Sequence, residues 1–251
     1  MKIEAIIDKL TNTTEGILPR DALKYAFSKK NEITPHLIKC IEDFPQNCKT
    51  MYPDNDLPFY SILLLSYFKC EEAHTAICDM LKITHDEEDD PLDIFLGQLL
   101  SEIIPTTLAN TYNGDIKHIK SVIECSDANI FARDAAMRSL IILTIREKIS
   151  KGETIKYFKS LLKTELESYD ISMLNALIVD ESYLLQSEEL LPLIKAKFDK
   201  KVVDTHITRY RTTLPPDEFV KKYLRIDQSD NPIKILEKWQ AVKESKNTIS
   251  K

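Results

Sequence analysis

Residues 116–123 read IKHIKSVI and residues 155–162 read IKYFKSLL, so nearly the same pattern returns 39 positions later. As helices, both stretches place apolar side chains at i, i+3, i+6 and i+7 and put their lysines on the opposite face. The apolar positions are Ile116, Ile119, Val122 and Ile123 in the first copy and Ile155, Phe158, Leu161 and Leu162 in the second. A glycine and an acid precede each copy, at Gly114-Asp115 and Gly152-Glu153. Each copy therefore predicts a turn followed by an amphipathic helix.

Weaker copies lie on both sides, in HTAICDML at 74–81 and EELLPLIKAKF at 188–198. The steps of roughly 35 to 42 residues are in the range of HEAT and armadillo helical repeats. Between two copies, DANIFARDAAMRSLIIL at 127–143 predicts a partner helix, which Asp127 or Asn129 can cap. We therefore predict an all-α protein, a short α-solenoid of stacked antiparallel helix pairs that share a continuous core.

Composition favours the same class. The chain of 251 residues contains only four glycines, far below the average usage of roughly 7%. Hairpins and phosphate-binding loops need glycine at positive φ, so this chain cannot form many of either. The net charge is −6, which argues against a general nucleic-acid binder. Five cysteines scattered through a chain of this length do not form the pattern of a secreted disulfide framework, so we expect a cytoplasmic protein.

Turn signals divide the chain. Thr34-Pro35 and Asp90-Pro91 each read as an N-cap followed by the first helical residue, and the longest break is predicted at 45–58. A second break at 211–218 separates a predicted helical repeat domain over residues 1–210 from a helical extension over 211–251, whose last residues should fray.

Several segments together resemble an uncharacterised bacterial family, domain of unknown function number eleven eighty-six. They are LPRDALKYAF, LANTYNGDIKHIKSVIE, FARDAAMRSL and LNALIVDESYLL. The resemblance covers roughly residues 1–210 and implies a helical, HEAT-like protein with no established activity. It also implies structural roles for Asp127 and for Arg133, which in such repeats commonly bonds the neighbouring turn. Some members end in a Cys-rich zinc tail of the SEC-C type, which is absent here because no cysteine follows Cys125.

Two segments contain candidate metal ligands. Cys70, His74 and Cys78 share a face of a single helix, but i and i+8 lie about 12 Å apart on a straight helix, too far for two sulfurs on one zinc ion. The acidic stretch HDEEDDPLD at 85–93 lacks the glycine and the spacing of a calcium loop and is interpreted as a solvated loop. We predict no metal and no cofactor.

No catalytic motif is present, so no catalytic residue is assigned. Asn113 and Gly114 are interpreted as a helix C-cap, because both residue types tolerate the left-handed conformation. Asn175 and Asp180, polar residues inside an apolar helix, are expected to be exposed, and the alternative is that they face a groove.

Basic residues interleaved with tyrosine at 195–225 are the best candidate for binding a partner, although an ordinary solvated face has the same composition. The candidate residues are Arg209, Tyr210, Arg211, Lys221 and Lys222. The leading hypothesis is a non-catalytic protein-binding adaptor or scaffold that uses the concave face of the helix stack, with no membrane partner. One alternative is a HEAT-like DNA-binding or base-excision enzyme using this region and Trp239, which the acidic net charge opposes. Another is a secreted bacterial effector that binds a host protein.

Overall fold

The computed structural model of the protein describes residues 1–13, 17–51, 55–84, 86, 88, 90–97, 99–224, 231 and 233–237. Over these residues the secondary structure is helical, without a strand, which confirms the predicted all-α class. The helices are α1 (Ile3–Thr11), α2 (Arg20–Ser28), α3 (Lys30–Met51), α4 (Leu57–Phe68), α5 (His74–Met80), α6 (Pro91–Phe95), α7 (Leu99–Glu102), α8 (Ile104–Asn110), α9 (Ile116–Glu124), α10 (Ile130–Ile145), α11 (Lys151–Lys163), α12 (Ile171–Leu184), α13 (Leu191–Asp199) and α14 (Asp217–Tyr223).

The described residues group into two compact units. Unit 1 contains Met1–Met80 and Asn110–Asn113 with residues 231 and 233–237, and unit 2 contains the described parts of Leu81–Ala109 and Gly114–Asp227. The frayed tail predicted for the C-terminus falls outside the described residues. In the part of the chain that is described, no helix has the length and apolar character needed to cross a membrane.

The two copies of the repeated pattern form α9 and α11 in unit 2. Val122 and Ile123 are buried in α9, as are Leu161 and Leu162 in α11, while Lys117 and Lys156 are exposed. Helix α10 packs against α9, α11 and α12, and α11 packs against α12 and α13. The apolar stripe read from the sequence is therefore the buried face of each helix, except that its first position, Ile116 or Ile155, is only half-buried.

The helix starts differ in detail from the predicted ones. Asp115 is the N-cap of α9, with Oδ1 accepting from the Lys117 amide at 2.9 Å. Ser150 caps α11 by accepting from the Glu153 amide at 3.1 Å, so Gly152 and Glu153 lie inside the first turn instead of before it. At α10 the cap is Asn129, not Asp127.

The carboxylate of Asp127 instead accepts a hydrogen bond from the Ser126 hydroxyl at 3.0 Å. Asn129 Oδ1 accepts from the amide of Phe131 at 2.8 Å. Asn129 lies next to the first helical residue, where a short side chain reaches an orphan amide, whereas Asp127 is too far back along the chain.

Arg133 is fully buried inside unit 2 although it carries a charge. Its Nε donates to the Ile123 carbonyl at 2.8 Å and its Nη1 to the Glu167 carbonyl at 2.9 Å. The guanidinium therefore bonds a carbonyl at the end of α9, where a helix terminus leaves carbonyls unsatisfied, and a carbonyl in the segment that follows α11.

Unit 1 corrects the sequence interpretation at two prolines. Helix α3 runs from Lys30 to Met51 with Pro35 and Pro45 inside it, although a start at Thr34 and a break at 45–58 were predicted. The Thr34 hydroxyl bonds back to the Lys30 carbonyl at 2.7 Å, so it acts within the helix. The dense contacts of α3 with α4 and α5 override the local cost of the prolines.

The predicted C-cap at Asn113-Gly114 is also displaced. Helix α8 ends earlier, at Asn110, and Gly114 adopts a φ of +95° in the turn that enters α9. The conformational freedom of glycine is thus used at the start of the next helix.

Candidate functional site

All five residues predicted to bind a partner are exposed in unit 2. Arg209, Tyr210 and Arg211 belong to a segment without regular structure after α13, whereas Lys221 and Lys222 lie in the last turn of α14. We refer to residues 202–216 as the strap, because this segment follows α12 over most of its length.

The strap runs beside α12 in the same direction as the helix. Near its start, the Val202 carbonyl accepts from Asn175 Nδ2 at 3.0 Å, and the Asp204 amide donates to the Ser172 carbonyl at 3.1 Å. Further along, the Thr208 hydroxyl donates to Asp180 Oδ1, and the Pro215 carbonyl accepts from Gln186 Nε2 at 2.7 Å. Asn175 also accepts from Lys197 Nζ at 2.8 Å and is buried, so the expected exposure of Asn175 is wrong. Its polar side chain is satisfied by the strap and by α13.

Arg211 is the firmest attachment of the strap. Its amide donates to the Tyr183 hydroxyl at 2.8 Å, and that hydroxyl donates to the Arg211 carbonyl at 3.2 Å. The guanidinium lies over the Tyr183 ring at 5.4 Å and 3.8 Å from Asp180. Arg211 is therefore engaged within the protein, while Arg209 beside it is turned to solvent.

A cluster of two acids and one arginine lies between α10 and α12. Arg138 Nη2 contacts Asp134 Oδ2 at 2.8 Å, and Arg138 Nε donates to Glu181 Oε1 at 2.8 Å. Asp134 and Glu181 are almost completely buried. Among the described residues, no donor reaches Asp134 Oδ1 or Glu181 Oε2. Two buried carboxylates thus share one compensating positive charge.

This imbalance favours a bound proton. Burial raises the pKa of Asp134 to about 6, with Arg138 opposing the shift and Asp180 adding to it. Burial and the neighbouring Asp134 raise the pKa of Glu181 well above its usual range, although Arg138 again opposes. A proton on either carboxyl supplies the missing donor and leaves the cluster neutral, because burying a second unpaired charge is expensive.

Tyr223 contacts this cluster through Arg138. The Arg138 guanidinium lies 5.1 Å from the Tyr223 ring centre, and Phe219 stacks on Tyr223 at 5.9 Å with ring planes 16° apart. Arg138 and Tyr223 also line a cavity of about 210 Å³. The cluster thereby connects α14, through Arg138 of α10, to α12, which holds the strap.

Asp134, Arg138 and Glu181 were not assigned any role from the sequence. A signal was present, because these charged residues lie in α10 and α12, two helices composed mainly of apolar residues, and a helix with a solvated face carries more polar residues. Their convergence depends on the packing of two helices that are 43 residues apart in sequence at Arg138 and Glu181.

The candidate zinc ligands belong to unit 1 and do not share one straight helix. Cys70 precedes α5, which begins at His74. His74 is buried, with Nδ1 3.3 Å from the Thr111 hydroxyl and Nε2 3.8 Å from Cys78 Sγ. Within the described residues no group of three potential ligands is close enough to hold a metal ion. Trp239 and part of the acidic stretch at 85–93 fall outside the described residues.

In comparison with known proteins, the chain matches a family whose description names no activity. Residues 1–243 match the family described as "Protein of unknown function (DUF1186)". An uncharacterised protein of Chlamydia muridarum (strain MoPn / Nigg) is 29% identical over 248 residues, covering 95% of this chain and 97% of the relative. One from Chlamydia trachomatis serovar D is 28% identical, covering 95% and 96%. No solved structure matches the chain.

Proposed function

The chain belongs to the DUF1186 family, and we propose that it is a protein-binding adaptor that holds an acidic segment of another protein. The proposed binding surface, the basic aromatic face, consists of Arg209 and Tyr210 on the strap with Phe219, Lys221 and Lys222 on α14. The observation that carries the proposal is the exposure of all five side chains on segments that are themselves fixed to α12 and α10.

Side-chain chemistry supports this choice. Tyr210 is 42% exposed and Phe219 is 46% exposed, which is high for large aromatic residues. Aromatic and arginine side chains dominate the binding energy of protein interfaces. Residues 207–223 carry four basic and two acidic side chains, in a protein whose net charge is −6. Charge complementarity therefore favours an acidic partner.

Attachment to the helices also supports binding. The contacts of Tyr183 with Arg211, and of Arg138 with Tyr223, order these segments before a partner arrives. A preordered surface loses less conformational entropy on association, which increases affinity.

The proposal also includes the arrangement of helices α9 to α13 in unit 2. We propose that α9 to α13 are stacked pairs of a short HEAT-like solenoid, in which α9 and α11 occupy equivalent places. The contacts of α10 with α12 and of α11 with α13 support this arrangement, as does the position of Arg133 between successive turns. None of the five cysteines, all of which lie within the described residues, forms a disulfide, which supports a reducing cytoplasmic location.

The test is binding by the purified chain to fluorescein-labelled peptides rich in Asp, Glu and aromatic residues, measured by anisotropy at low and high salt. The triple variant Arg209→Glu, Lys221→Glu, Lys222→Glu should weaken binding at least about tenfold, because three favourable contacts become repulsive. The matched control reverses the exposed Lys117, Lys151 and Lys156 on other helices and should bind like the wild type.

The outcome separates the proposal from the DNA-binding alternative. Retention of duplex DNA with a steep loss of affinity as salt rises, together with no peptide binding, would indicate phosphate-driven recognition and overturn the proposal. Equal loss of peptide binding in both triple variants would also overturn it, since only overall charge would then matter.

A further inference from the structure

The cavity of about 210 Å³ in unit 2 has walls of mixed chemistry. It is lined by Ser101, Glu102, Pro105, Thr106, Arg138, Tyr223 and Leu224. Cavities for drug-sized ligands are roughly 300 Å³ or larger, so this volume suits a ligand of few heavy atoms. The lining offers one positive and one negative side chain, two hydroxyls, and the ring of Tyr223.

Arg138 is prepared to bind a carboxylate. Its contacts to Glu181 and Asp134 use Nε and Nη2, and they fix the plane of the guanidinium of a residue that lines the cavity. Only 17% of the side chain is exposed, so an ion pair formed here is less screened than one on the surface. With one proton on the two acids, the cluster around Arg138 is neutral and does not repel a monoanion.

Glu102 restricts the ligand further. Its carboxylate lines the same cavity, and a carboxylate accepts several hydrogen bonds, so an added cationic donor can be accommodated. A dianion such as phosphate would be repelled by Glu102, whereas an ammonium group would be attracted. A ligand with opposite charges at its two ends matches the two charged walls.

We propose that this cavity binds a small α-amino acid as a zwitterion, with Arg138 holding its carboxylate and Glu102 its ammonium group. The hydroxyls of Ser101 and Thr106 supply further hydrogen bonds, and the Tyr223 ring covers the ligand's apolar part. This site is separate from the proposed binding of an acidic protein segment, because Arg209, Lys221 and Lys222 do not line the cavity.

The experiment is isothermal titration calorimetry on the full chain with four probes: L-alanine, acetate, methylammonium and inorganic phosphate. L-alanine should bind at least about tenfold more tightly than acetate or methylammonium, since each of these makes one of the two charged contacts. Phosphate should not bind. Equal affinity for acetate and L-alanine, or absence of L-alanine binding, would overturn the proposal.

Variants of Glu102 and Arg138 test which residue makes each of the two charged contacts with the ligand. Glu102→Gln should reduce the affinity for L-alanine to that for acetate, and Arg138→Lys should reduce it at least about tenfold through loss of guanidinium geometry. Ser101→Leu, which fills the cavity, should abolish binding while thermal unfolding stays cooperative. This variant keeps the proposal testable if Arg138→Lys fails to fold. Glu188→Gln, at an exposed position, is the matched control and should bind L-alanine like the wild type. A loss of affinity in Glu188→Gln equal to that in Glu102→Gln would contradict the role proposed for Glu102.

Discussion

The burial of a charged side chain depends on its partners, as it does for Asp134, Arg138 and Glu181. Each is a charged side chain that belongs on a surface by its residue type, yet all three are largely or fully buried. Charged groups are rarely buried unless paired, and here two acids share one arginine. The cluster therefore links protonation to the packing of α10 against α12.

This linkage has a defined sign. Because burial raises the pKa of Asp134 from 3.8 to about 6, the folded protein binds more protons than the unfolded chain between these values. The corresponding stability is present below pH 3.8 and is lost as the pH rises through about 6. We predict that Asp134→Asn removes this part of the pH dependence, on the order of 2 kcal/mol of unfolding free energy between pH 4 and pH 7.

Urea unfolding followed by circular dichroism at pH 4, 5, 6 and 7 measures the effect. The exposed Asp217→Asn is the control, and its profile should run parallel to that of the wild type. Parallel profiles for wild type and Asp134→Asn would contradict the proposed role of the buried acid.

At the scale of elements, the strap is the feature that most affects the candidate binding face. Helices α10 and α11 cover other parts of α12, whereas the strap follows it through hydrogen bonds from Ser172 to Gln186. The backbone polar groups of an irregular segment need partners, and polar side chains of α12 provide several of them. Asn175, Asp180 and Tyr183 are thus the side chains of α12 whose polar atoms bond the strap.

Tyr183 provides the sharpest test of this attachment. Its hydroxyl bonds both the amide and the carbonyl of Arg211, and its side chain is fully buried. We predict that Tyr183→Phe lowers the unfolding free energy by about 1–2 kcal/mol and speeds hydrogen exchange of the Arg211 amide at least about tenfold. Exposed Tyr210→Phe, the matched control, should change neither quantity. Unchanged exchange at Arg211 in Tyr183→Phe would show that other contacts hold the strap.

For the whole molecule, the distribution of cysteines provides a test of the packing in both units. Cys40, Cys48, Cys70 and Cys78 are buried in unit 1, and Cys125 in unit 2 is half-buried. Burial raises the pKa of Cys40 to about 11, which keeps its thiol protonated at neutral pH, and burial also raises the pKa of Cys70. The thiolate is the reactive form, so these groups should be unreactive.

We predict that a thiol reagent at pH 8 labels Cys125 in the native protein and all five cysteines in urea. Cys125→Ser should lose the native labelling while keeping the labelling of the unfolded chain. Rapid reaction of the remaining thiols in native Cys125→Ser would show that unit 1 opens more readily than its packing indicates.

The sequence by itself determined the helical class, the buried faces of α9 and α11 and the cap at Asp90, because periodicity and capping are local and act within one or two turns. Only the tertiary structure decided that α3 continues through two prolines and that Asn175 is buried under the strap. It alone brought Asp134, Arg138 and Glu181 together, because the pairing of charges from different helices depends on packing between residues far apart in the chain.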